Sequence, residues 1–212
     1  MRITKFGHAC VRVETESGTL LFDPGMFVTP EVFDGVDAVL ITHEHPDHYL
    51  PDLLTSTDAP VFTIDAVAAK INDEAPEVRE RTTIVTPGQG FEAAGVQVTA
   101  VGELHAVIHP EMPRFFNSGY LVDADGTSVF HPGDALTAPE GVTPGVLLAP
   151  SSAPWARSSE LIDFVRSVGA ARNLAIHDRI YSDVGAAIFD QQMNGLIGEG
   201  QAWSRLADGA DL

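Results

Sequence analysis

The run Thr42-His43-Glu44-His45-Pro46-Asp47-His48 packs three imidazoles and two carboxylates into seven residues. It directly follows Ala38-Val39-Leu40-Ile41, an apolar stretch with the character of a buried strand. Imidazole and carboxylate are the ligands that Zn²⁺, Mn²⁺ and Fe prefer, so such a cluster at a strand end reads as a metal site. In an extended segment residues two apart share a face, which lets His43 and His45 grip one ion together. Pro46 keeps His45 extended, because the residue before a proline is pushed out of the α region. Beyond the proline the chain turns and re-aims Asp47 and His48 toward a neighbouring ion. One short loop therefore offers ligands to both halves of a two-metal site.

Working outward, further ligand-type residues lie just past strand-like runs. Val96, Val98 and Ala100 alternate with Gln97 and Thr99, the period of a half-buried strand, and His105 follows them beyond Gly102. Asp134 follows the run 128–130 through the tight turn His131-Pro132-Gly133, and His177 caps Leu174-Ala175-Ile176. Ligands placed at strand ends can converge on one rim of a sandwich, and a carboxylate such as Asp134 can bridge two ions. The other histidines are His8, His109 and His131.

Strand-like runs at 9–13, 19–22, 38–41, 61–64, 82–85, 118–122, 127–130, 146–149 and 173–176 are bounded by Gly, Pro and Asp. Helix-like segments are fewer: 65–74 with Asp65 as an N-cap candidate, 158–168 with Leu161, Phe164, Val165 and Val168 on one face, and a capped start at Ser182. No internal repeat, low-complexity tract or linker is visible, so residues 1–212 read as a single α/β (α+β) domain of two sheets between helices. No stretch approaches the ~20 apolar residues of a membrane helix, and the amino terminus lacks a signal-peptide core, so a soluble cytoplasmic protein is expected. With one cysteine, Cys10, neither an internal disulfide nor a thiolate cage is available, and Cys10 reads as core filler. Twelve basic against 30 acidic residues give a net charge of -18, which argues against nucleic acid as substrate. The oligomeric state is not encoded in any recognisable motif.

The motif Thr42-His43-Glu44-His45-Pro46-Asp47-His48, followed in order by His105, Gly133-Asp134 and His177, resembles the signature of the metallo-β-lactamase superfamily. The resemblance implies a four-layer αββα sandwich with the metals in a groove at one edge. It implies that His43, His45 and His105 hold one ion, Asp47, His48 and His177 hold a second, and Asp134 bridges them. Gly7-His8-Ala9-Cys10 and Phe22-Asp23-Pro24-Gly25 look like the branch of small hydrolases that includes ascorbate phosphate lactonase-like enzymes. There His8 would be an outer or substrate contact and Asp23 an orienter of ligand histidines, unless Asp23 simply forms an Asp-Pro-Gly turn. The best-known dizinc β-lactamases carry Cys where this chain has Asp134, which argues against antibiotic hydrolysis as the native role.

The expected function is hydrolysis of a small-molecule ester, lactone or phosphoester by a hydroxide bridging two divalent ions, zinc before manganese or iron, with Asp47 as a proton shuttle and His8 beside it. An iron-dependent oxidoreductase and a non-catalytic metal-binding module are the alternative readings. His109, Met112, Arg114, Phe115, Phe116 and Trp155 are pocket candidates, with Arg114 suited to a substrate carboxylate or phosphate, but the aromatics read equally well as core. His131 is either an outer hydrogen-bonding partner or a turn residue.

Overall fold

The computed structural model describes residues 1–212. The first half of the chain forms β1 (Arg2–Lys5), β2 (Val11–Glu14), β3 (Thr19–Phe22), β4 (Ala38–Leu40), α1 (Pro51–Leu54), β5 (Val61–Thr63), α2 (Asp65–Glu74) and β6 (Thr82–Ile84). The second half forms β7 (Gly90–Ala93), β8 (Val96–Val101), β9 (Gly119–Ala124), β10 (Thr127–His131), β11 (Val146–Pro150) and α3 (Ser158–Val168). It closes with β12 (Arg172–Ile176), α4 (Asp183–Leu196), β13 (Ala202–Ser204) and β14 (Ala210–Asp211). No helix is long and apolar enough to cross a membrane.

The strands make two seven-stranded sheets, ordered β14-β1-β2-β3-β4-β5-β6 and β13-β12-β11-β10-β9-β8-β7. In each, an antiparallel meander (β1 to β3, or β8 to β10) runs on into parallel strands. In each, one more antiparallel strand, β14 or β7, flanks the meander. The topology is thus duplicated although the sequence shows no repeat. One local echo survives: Phe22-Asp23-Pro24-Gly25 leaves β3 as Phe130-His131-Pro132-Gly133 leaves β10.

Alternation along the strands builds the layers. Leu20 and Phe22, Ala38 and Leu40, Tyr120 and Val122, and Leu174 and Ile176 point between the sheets. Their neighbours Leu21 and Val39 face α1 and α2 with Leu54, Val67 and Ile71. On the other side Leu121, Leu147 and Ala175 face α3 and α4 with Leu161, Phe164, Val165, Phe189 and Met193. Both faces of each central strand are covered, so the runs are continuously apolar and the αββα order follows. Burying each of the Leu, Ile, Val, Phe and Met side chains contributes about 1.5–3 kcal/mol.

At the rim where the strands end, the sheets are laced together. The buried Tyr120 hydroxyl donates to Ile41 O (2.8 Å), and Ser118 N–H to Thr42 O (3.0 Å). His177 N–H donates to His8 O (2.9 Å), and His131 Nε2 to Ala9 O (3.0 Å). These bonds fix the ends of both sheets relative to each other, which is where the ligand-type residues sit.

Several boundaries differ from expectation. The strand placed at 9–13 begins at Val11, because Gly7-His8-Ala9 forms a turn closed by Cys10 N–H on Gly7 O (3.2 Å). Asp65 is the first helical residue after Ile64 rather than the cap, whereas the Ser182 hydroxyl does cap α4 by accepting from Gly185 N–H. Strands β7, β13 and β14 at sheet edges, and β1 between β14 and β2, are absent from the sequence-based expectation.

A Cβ at Gly25 would stand 2.1 Å from Asp47 O and 2.5 Å from His48 N, both backbone atoms of the histidine-rich loop. Gly25→Ala should cost about 1–3 kcal/mol by overpacking and displace that loop. Thermal denaturation should show a clear loss for Gly25→Ala and almost none for Gly90→Ala, where a Cβ meets nothing within 4 Å.

Candidate metal centre

The rim gathers two sets of ligand atoms, each set mutually within 4.8 Å: His43, His45, His105 and Asp134, and His8, Asp47, His48 and His177. In the first, His43 Nε2 lies 3.0 Å from His45 Nδ1, and His105 Nε2 lies 3.3 Å from Asp134 Oδ2. In the second, His177 Nε2 lies 3.4 Å from Asp47 Oδ2. Asp134 stands between the sets, 3.2 Å from both His48 Nε2 (through Oδ1) and His177 Nε2 (through Oδ2).

Four of the imidazoles, all but His45 in the proposed ligand set, are aimed by a bond on the far side. His48 Nδ1 donates to Asp23 Oδ2 (2.7 Å), His105 Nδ1 to Ala106 O (2.7 Å) and His177 Nδ1 to Ser152 O (2.6 Å). His43 Nδ1 donates to Thr42 Oγ1 (3.0 Å), whose hydroxyl donates on to Asp23 Oδ2 (2.7 Å). Asp23 also accepts Thr42 N–H (2.8 Å), so this carboxylate orients two histidines and the loop backbone at once. These bonds place the protons on Nδ1 and leave the Nε2 lone pairs facing inward, the arrangement a metal ligand needs.

His8 has the opposite polarity. Its Nδ1 accepts Arg179 N–H (3.1 Å), so the neutral ring carries its proton on Nε2 and donates it to Asp47 Oδ2 (3.1 Å). It is thereby a partner of Asp47 rather than a source of a lone pair. Backbone geometry marks the same spots: His8, Asp23 and His177 have φ of 60°, 45° and 49°. Such left-handed conformations cost on the order of 1–3 kcal/mol in non-glycine residues and gather at functional sites. The other two non-glycine cases, Ala94 and Asp125, sit in hairpin turns before Gly95 and Gly126.

The electrostatics call for positive charge. His48 Nε2, His105 Nε2, His177 Nε2 and Asp134 Oδ1 are buried without a hydrogen-bond partner, and orphans of this kind cost about 1–3 kcal/mol each. Burial works against the charged forms of Asp134 and His48, yet Asp134 is held well below the usual carboxylate range by His177 and His48. His48 in turn is raised well above its ordinary value by Asp134 and Asp23. For His177 burial is likewise outweighed by the Asp134 carboxylate, which lifts the imidazole to about 9. Burial lowers Asp47's acidity, but hydrogen bonds from His177 and His8 more than reverse this. His8 itself is lowered to about 4 by burial and stays neutral. Without metal, protons supply the positive charge that the cluster demands. Nitrogen and carboxylate donors with inward lone pairs fit divalent transition ions well.

The remaining candidates divide. Trp155 Nε1 donates to Asp134 Oδ2 (3.2 Å), and the Phe115 ring lies 4.6 Å from that of His45. Arg114 spends Nε and Nη2 on His105 O, bracing the ligand's backbone. His109 is exposed and accepts Glu111 N–H through Nδ1; Met112 and Phe116 are also exposed, Phe116 lining a separate cleft. His131 is buried, lowered by burial, and bonded through both nitrogens, to Ala9 O and Gly133 N–H, so it braces the turn before Asp134. Cys10 is buried in the outer core, where burial pushes its thiol up and leaves it inert.

Some participants carry no signal of their own in the sequence. Asn117 Oδ1 accepts Asp134 N–H (3.0 Å), Ser152 flanks His177 on both sides, and Phe27 lies 4.8 Å from the His8 ring. Thr42 alone was hinted at, by adjacency to the histidine run.

Comparison with known proteins bears on this geometry. Residues 2–177 match a family model described as the beta-lactamase superfamily domain. The chain is 39% identical over 195 residues to Protein Rv0786c of Mycobacterium tuberculosis, covering 89% of each. It is 30% identical over 177 residues to the UPF0173 protein PYRAB01190 of Pyrococcus abyssi, covering 78% of this chain and 79% of that one. Among solved structures, Igni18, a metallo hydrolase from Ignicoccus hospitalis, superposes with a TM-score of 0.75 at 19% identity over 100% of this chain and 97% of that one. The histidine-rich rim, the αββα layers and these matches agree: the chain belongs to the metallo-β-lactamase superfamily, among relatives designated UPF0173.

Proposed function

We propose that the protein is a dinuclear metal-dependent hydrolase of small-molecule ester, lactone or phosphoester bonds. His43, His45 and His105 would hold one divalent ion, Asp47, His48 and His177 the other, and Asp134 would span both. The observation that carries this reading is the set of buried, unpartnered Nε2 atoms aimed at one carboxylate. Relatives from Methanopyrus kandleri and Anoxybacillus flavithermus bear the name UPF0173 metal-dependent hydrolase, which supports it. Ions bound there supply Lewis acidity and activate water near neutral pH.

The chain's own groups do the rest. Asp47 is the ligand carboxylate with part of its side chain, 24%, in solvent. Its Oδ2 accepts from His8 Nε2–H, so a proton taken from the attacking water settles on Oδ1 and passes to the leaving group. His8 Nε2–H fixes the carboxylate's orientation during that exchange. Trp155 and Asn117 hold Asp134 in place, while Phe27 and Phe115 shield the site from bulk water.

Purified protein should contain about two equivalents of zinc or manganese by inductively coupled plasma mass spectrometry, as a two-metal site requires. His45→Ala should lose metal and hydrolysis together; full activity in that variant would overturn the assignment. Asparagine tolerates the left-handed backbone at position 8, so His8→Asn should keep both ions while turnover drops about 10–100-fold. Metal loss equal to that of His45→Ala would instead make His8 a ligand.

The His177 imidazole is raised from 6.5 to about 9, so its contribution to the metal-free fold is complete below pH 6.5 and lost as pH climbs through about 9. Chelated protein should therefore melt at lower temperature as pH rises across that window. The stabilisation gained on adding metal should grow over the same window, because fewer protons must be displaced. A pH-independent metal effect would contradict the ligand set.

A further inference from the structure

A cleft of about 670 Å³ lies against the metal centre, a volume within the range of small-molecule sites. Its lining comes largely from the segments that carry His105 and Asp134, and includes Leu104, Ile108, Arg114, Leu136, Trp155 and Arg157. Trp155 is shared, since its indole N–H reaches Asp134 while its ring lines the cleft.

Two of the chain's 12 basic residues, set among 30 acidic ones, line this cleft. Arg114 and Arg157 have no carboxylate within ion-pair distance, and both face the same apolar hollow. Glu160, the acid in the lining, accepts Arg157 N–H (2.9 Å) and is occupied at the start of α3. Arg114 is locked by His105 O through two of its five donors, so its other N–H groups are presented without further ordering.

We propose that this cleft binds the non-reacting part of the substrate, an apolar body ending in an anionic group, carboxylate or phosphate, that pairs with Arg114 and Arg157. The proposal rests on the hydrolase reading for its chemistry but not for binding. It makes the substrate class an amphipathic acid derivative whose scissile bond lies at the metal centre, on the far side of Trp155 from the cleft.

Isothermal titration of the metal-loaded protein with octanoate, octyl phosphate and 1-octanol, at about 0.15 M salt to screen the surface, tests it. The anions should bind about three- to fivefold more tightly than the alcohol, the difference expected of charge-assisted pairs with two exposed arginines. The stronger of the two anions names the head group. Arg157→Ala should erase the preference and Arg157→Lys should restore part of it, with both variants melting as the native protein does. The preference should survive in metal-depleted His45→Ala. Equal binding of alcohol and anions, an unchanged preference in Arg157→Ala, or a preference that vanishes with the metal would overturn the cleft assignment. Turnover of neutral p-nitrophenyl acetate by the native protein reads the hydrolase proposal separately.

Discussion

Lone pairs and negative charge face one another across the rim of this molecule, and the protein answers them only in part, through the Trp155 and His8 N–H groups and through protons on His48 and His177. Six imidazoles and two carboxylates occupy one largely dry crevice, with Asp134 between the two sets. Taken alone such a cluster is unfavourable, because burying unpaired polar atoms and like-signed partners costs several kcal/mol. The surrounding structure makes sense as what holds the cluster together against that cost. Continuous apolar cores on both sides of each sheet supply the stability, and the inter-sheet bonds of Tyr120, Ser118, His131 and His177 carry it to the rim.

The duplicated topology explains why the site lies where it does. Each half ends its third meander strand in a Phe-X-Pro-Gly turn, with Asp23 in one half and His131 in the other. Asp23 faces the histidine loop and aims His48, while His131 turns inward and braces the approach to Asp134. The same backbone device thus serves orientation in one half and support in the other. The ligand-type side chains come from both halves, so the cluster assembles only when the two sheets are packed.

Much of this was legible in the sequence because the residues involved are short-range and chemically singular. The run from His43 to His48 announces a metal site by ligand type alone, and strand alternation places His105, Asp134 and His177 on one edge. Segments 19–22, 65–74 and 158–168 could be delimited closely, since their apolar periods are uninterrupted. The edge strands escaped notice because pairs such as Ala210–Asp211 are too short to show a period, and are held by a neighbour's backbone rather than by their own side chains. The aiming of the ligands was equally hidden. Ser152, Asn117 and Arg179 act through a carbonyl, a side-chain amide and a backbone N–H that any sequence contains, and only the fold brings them to the histidines. Likewise Arg157 stands in sequence as one more surface charge; its place in the same cleft as Arg114 is a product of packing.

The left-handed backbone at His8, Asp23 and His177 has a consequence for how this protein can drift. At these positions glycine or asparagine would relax the chain, so ordinary selection for a sturdier fold pulls away from histidine and aspartate. A lineage that no longer needed the chemistry would gain stability by discarding those side chains first. In this chain all three positions carry the side chains that aim or join the ligand cluster, at that cost to the backbone.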